Sequence, residues 1–113
     1  MTEGLPTRKG HRITVEPSNR HVRAVRGEQV LAESDGALVL REPGCPDAYY
    51  IPLQDVRLDL LTPSATHTHC PFKGEASYWS LPDVPDLAWA YPDPKPELAE
   101  IKDRLCFYEV EVS

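Results

Sequence analysis

No stretch of this sequence approaches the roughly 20 apolar residues that a membrane-spanning helix requires, and Met1 to Arg20 lacks the apolar segment of a signal peptide. Cysteine is scarce. The three residues Cys45, Cys70 and Cys106 are odd in number, widely and irregularly spaced, and form no Cys-x-x-Cys pair, so no disulfide framework is expected. Positive charge is also in deficit, with 12 Lys and Arg against 18 Asp and Glu and a net charge of -6. Nucleic-acid phosphates need a basic surface, and the one basic cluster, Arg8, Lys9, His11 and Arg12, reads as a solvated end. Only six glycines are present and no phosphate-cradling Gly-rich loop ending in Lys-Ser or Lys-Thr occurs. These absences argue for a cytoplasmic, reducing location, with no nucleic-acid partner and no membrane.

The chain of 113 residues has room for one core, so any chemistry must lie in a cleft of one small fold. Residues 1–10 are expected to form a flexible tail and 11–113 a single domain. Proline is abundant, at 12 residues, and mostly follows Pro43, which favours short elements joined by loops. The first half alternates as strands do. Runs near Ile13–Val15, Val22–Val25, Gln29–Ala32, Ala37–Leu40 and Asp47–Ile51 are separated by turn signals at Gly27, at Ser34-Asp35-Gly36 and at Pro43-Gly44-Cys45-Pro46. This pattern predicts a meander of short antiparallel strands. The alternation of Val56, Leu58 and Leu60 favours a further strand, and Thr62 to Thr68 reads as a polar loop. Ser77–Leu81 and Leu87–Tyr91 read as aromatic-rich strands. Pro96–Arg104 reads as the one short helix, with Leu98, Ile101 and Leu105 at helical spacing, and Leu105–Val112 as a closing strand.

The densest chemistry lies in His67-Thr-His-Cys-Pro-Phe-Lys-Gly-Glu75. Structural zinc wants four ligands, often in two close pairs, and no second pair accompanies His67, His69 and Cys70. No metal or other cofactor is therefore expected. Cys70 is a candidate nucleophile if His69 or Lys73 favours its thiolate; the plainer alternative is a small packed side chain before a proline turn. Lys73 is the second candidate catalytic group, able to meet an anion as a point charge; the alternative is an ordinary exposed lysine. A core cannot absorb an unpaired amine, so Lys73 must reach solvent, an acid or a ligand. With a surface position in mind, Lys73→Met is expected to cost about 0.5 kcal/mol. Tyr50, Tyr78, Trp79, Trp89 and Tyr91 are candidate ligand-binding aromatics, although aromatics also fill ordinary cores. Arg57 and His69 complete the candidate ligand-binding set. Cys70–Lys73, Trp79, Trp89 and Tyr91 are expected to meet at one concave site.

Several short runs carry a family resemblance: Gly10-His11, Leu31-Ala-Glu-Ser34, Glu42-Pro43-Gly44, Tyr49-Tyr50-Ile-Pro52 with Asp55-Val56, Thr68-His-Cys-Pro-Phe-Lys-Gly74 with Ala76-Ser-Tyr-Trp79, Ala88-Trp-Ala-Tyr91 with Pro94, and Phe107-Tyr108. The chain resembles the bacterial family catalogued as domain of unknown function number 427, also labelled nucleotidyltransferase-like. The resemblance implies a mainly-β domain of the β-tent type, and its label implies metal-dependent transfer involving a nucleotide. The Asp-x-Asp carboxylate pair which that chemistry would use does not occur after a Gly-Ser turn. The reading that follows is a mainly-β, β-tent-like domain with one short C-terminal helix, binding a small molecule in an aromatic pocket beside Cys70–Lys73. The alternatives are a transferase or hydrolase using Cys70 or Lys73, and a structural interaction module.

Overall fold

The computed structural model describes residues 13–113; the expected tail and the basic cluster up to Arg12 lie outside them. The domain is mainly β, with ten strands among the described residues: β1 Thr14–Pro17, β2 Val22–Arg26, β3 Gln29–Ser34, β4 Leu38–Arg41, β5 Ala48–Pro52, β6 Thr62–Cys70, β7 Gly74–Leu81, β8 Val84–Ala90, β9 Arg104–Phe107 and β10 Glu111–Val112. They form an antiparallel seven-stranded sheet, ordered β1-β4-β5-β9-β8-β7-β6, and a three-stranded sheet, ordered β10-β2-β3. The chain does not run as a simple meander. β1 pairs with β4, while the intervening β2–β3 hairpin, turned at Gly27 with φ +62°, crosses to the second sheet. The apolar alternation of β2 and β3 fits either arrangement, because period two fixes which face is buried and not which strand is the neighbour.

The expected closing strand Leu105–Val112 is split, β9 joining the large sheet and β10 the small one, and three further segments differ from their sequence patterns, each for a physical reason. Leu53–Asp55 and Leu58–Leu60 are two 3-10 turns instead of a strand. The Asp55 carboxylate accepts from Ser34 Oγ at 2.7 Å, and this tie pulls the chain out of an extended course. Thr62–Cys70 is a nine-residue strand instead of a loop. It is the outermost strand of the large sheet and mostly exposed, so it shows no apolar alternation to read. The C-terminal helix is a 3-10 segment, Pro96–Ile101, with Leu98 at non-helical φ -122° and ψ 29°. The chain is extended again at Lys102, turns at Asp103 with φ +62°, and enters β9. Leu98 and Ile101 are still buried, but the run is too short to repay helix nucleation.

Strand register divides the core into two. Residues directly opposite one another share a sheet face. Ile51 faces Leu105, Phe107 faces Ala88, and Ala88 faces Trp79. That face packs with Val22, Ala24, Leu31 and Ala32 of the small sheet into one core. The opposite face carries the row Tyr50–Cys106–Trp89–Tyr78, each residue opposite the next. Tyr91 and Ala76 extend the row by the same period of two. Leu98, Ile101 and Ile13 cover part of it and make the second core.

Candidate functional site

The second face is left partly uncovered. A cavity of about 410 Å³ opens there, lined by Tyr50, Tyr78, Trp89, Tyr91, Tyr108 and Lys73 among others, a volume within the ordinary range for small-ligand sites. Its wall is set by register. Trp89 and Tyr78 are cross-strand neighbours, and the Trp89 ring meets that of Tyr108 with centroids 4.5 Å apart at 53°, a tilted contact favoured by ring quadrupoles. Trp89 Nε1 donates to Tyr50 Oη at 3.4 Å, and Tyr78 and Thr68 share a hydroxyl hydrogen bond of 2.9 Å.

Lys73 closes one end. Cys70 and Gly74 face each other across β6 and β7, so Pro71, Phe72 and Lys73 form the connecting turn, closed by Lys73 N–H donating to the Cys70 carbonyl at 3.2 Å. Lys95 N–H donates to the Lys73 carbonyl at 2.9 Å. Gly74 permits this approach: its φ is +119°, and an added Cβ would stand 3.2 Å from the Asp93 carbonyl oxygen. Thus held, Lys73 Nζ donates to Glu42 Oε1 at 2.9 Å with the two side chains only 13% and 11% exposed. Lys73 is therefore a largely covered lysine paired with the Glu42 carboxylate, and the small surface-like cost expected for Lys73→Met does not apply. Cys70 Sγ lies 4.0 Å from Nζ.

Two phenols remain underused among the described residues. The Tyr50 oxygen accepts from Trp89, and no described residue takes the Tyr50 proton. Tyr91 is 7% exposed and its hydroxyl makes no hydrogen bond with a described residue. Burial pushes both phenols well above the usual range, so both stay neutral O–H groups. Burial likewise pushes the Cys106 thiol up.

The structure gathers Lys73, Tyr50, Tyr78, Trp89 and Tyr91 at one cavity, with Cys70 beside Lys73. It places three sequence candidates elsewhere. Trp79 lies on the opposite face of β7, against the inter-sheet core, and lines a separate cleft of about 450 Å³ with His67, Ser77 and Arg104; its indole N–H is buried without a partner among the described residues. His69 is exposed and bonded to Glu75 at 2.7 Å. Arg57 is exposed and forms a two-bond pair with Asp59. Glu42 and Tyr108 belong to the cavity and were not among the candidates, although both stand in runs that carry the family resemblance.

Fold and site together define a small antiparallel β domain whose aromatic cavity ends on a part-buried ion pair. Residues 14–113 match the model of a family described as a domain of unknown function (DUF427), with the short label NTP_transf_9, and the chain belongs to that family. No curated protein matches the sequence. Among the described residues no three His, Cys, Asp or Glu side chains are grouped to hold a metal ion. The three cysteines are free thiols, and among the described residues no helix is long and apolar enough to cross a membrane.

Proposed function

We propose that this domain binds a small molecule in the cavity between Lys73–Glu42 and the Trp89–Tyr108 wall. The observation that carries the reading is the polar inventory of its floor. The Tyr91 hydroxyl and the Tyr50 proton have no taker among the described residues, and both residues line the same aromatic space, where their donors are open to a bound molecule. A ligand with polar atoms at one end supplies the missing partners. Protein-observed NMR with a fragment library tests this. Binding fragments should move the amides around Glu42, Lys73, Trp89, Tyr91 and Cys106 together. Shifts scattered over the surface, or confined to the Trp79 cleft, would overturn the reading.

A second reading rests on the 4.0 Å separation of Lys73 Nζ and Cys70 Sγ. In that reading Cys70 is the nucleophile and the domain a transferase or hydrolase acting through a covalent intermediate. Iodoacetamide separates the two readings: sulfur displaces iodide and forms a thioether. Stoichiometric alkylation at Cys70, blocked by a cavity fragment, favours the nucleophile. Alkylation only at Cys45 favours simple binding.

A further inference from the structure

The cavity's charges and hydrogen-bond donors indicate what kind of molecule it accepts, an inference that rests on the binding reading above. Three ionised side chains line the space: Lys73, Glu42 and Asp47. Each already has a counter-ion. Lys73 is paired with Glu42 at 2.9 Å, and Asp47 accepts from Arg41 Nε at 3.4 Å. A ligand anion reaching Lys73 would meet the Glu42 carboxylate on the same ammonium. A ligand cation drawn to Glu42 would meet Lys73. Beside a pair this largely covered either encounter costs more than a surface contact would.

What the floor does offer is donors that are neutral or whose charge is already paired. Tyr50 has accepted one hydrogen bond and keeps its own proton to give. Lys73 carries three N–H groups; Glu42 takes one, the Cys70 sulfur lies near a second, and one remains. Tyr91 adds a further hydroxyl. The walls are ring faces and edges from Tyr78, Trp89 and Tyr108, which suit a flat apolar body. We propose that the cavity takes an uncharged planar molecule whose polar end is a hydrogen-bond acceptor, a carbonyl on an aromatic ring, received by Tyr50 O–H and Lys73 N–H. The same arrangement rejects anions and cations of equal size.

Three probes of one shape separate the classes: benzamide, benzoate and benzylammonium, each titrated into the full chain and followed by the Trp89 indole N–H and Lys73 amide resonances. Benzamide should bind at least about tenfold more tightly than either charged probe, a factor of ten being 1.4 kcal/mol. Tyr50→Phe should weaken benzamide by about fivefold or more, in line with the loss of one hydrogen bond. Equal or tighter binding of benzoate or benzylammonium at the same resonances would overturn the ligand class and leave the binding site standing. No shift at these resonances with any probe would overturn the site as well. The comparison among probes needs only the wild-type chain, so it stands even where Tyr50→Phe fails to fold.

Discussion

Removing either partner of the Lys73–Glu42 pair should cost far more than a surface charge substitution does. At 2.9 Å, and with an effective dielectric of about 20, unit charges attract by about 6 kcal/mol. Desolvation consumes much of that, because both side chains are nearly nine-tenths covered, and the net worth of such a pair is small against an apolar substitute. Breaking it is different. Lys73→Met takes one counter-charge away from the largely covered Glu42 carboxylate, and a loss of about 2 kcal/mol follows. Glu42→Gln keeps shape and hydrogen-bonding capacity and should lose about 2 kcal/mol. The double variant should lose less than the sum, with a coupling of about 2 kcal/mol. Urea unfolding of all four proteins, with unchanged m values, measures the cycle. Single losses below about 1 kcal/mol with no coupling would mean a solvated surface pair and would refute the account of the floor.

Gly74→Ala should cost roughly 1–3 kcal/mol, because a Cβ at φ +119° faces the Asp93 carbonyl; thermal unfolding checks this, and a neutral result would mean the turn relaxes freely. Trp79→Ala should cost about 2–4 kcal/mol from lost core packing while leaving benzamide affinity at the Trp89 cavity unchanged. His21 bonds Asp35 and Glu33 at 2.7 and 2.6 Å, and these bonds raise its folded-state pKa above the ordinary 6.5. The stabilisation is therefore complete below pH 6.5 and is lost as pH rises through the raised value. Melting curves should show His21→Gln losing ground to wild type at pH 5.5 and matching it at pH 9; a constant difference would count against the linkage. Thiol titration in denaturant without reductant should find all three cysteines, and in the native state Cys45 should react first and Cys106 last, following their exposure.

The fold class and most of β2 to β5 are legible in the sequence because half-buried strands alternate and their turns carry Gly, Pro and Asp. The exposed edge strand β6 is not, since a strand that buries neither face leaves no periodic trace. The Pro96–Ile101 segment misleads for the opposite reason: Leu98, Ile101 and Leu105 do keep apolar spacing, but they reach two different cores across a left-handed turn at Asp103. At the site, period two correctly puts Trp89 with Tyr91 on one face and separates Tyr78 from Trp79. Which of those faces joins Lys73 depends on strand order, β9 lying between β5 and β8, and no local pattern reports that. Glu42 is invisible as the partner of Lys73 because the two are 31 positions apart and meet only once β4 and the β6–β7 turn lie across the same space.

Ligand binding on the face that bears Trp89 is tested by a crystal soaked with an uncharged aromatic amide. Density should stack against Trp89 and Tyr108, with the amide oxygen within about 3.2 Å of Tyr50 Oη or Lys73 Nζ. Density confined to the cleft beside Trp79, with the Lys73 cavity holding only water, would contradict it.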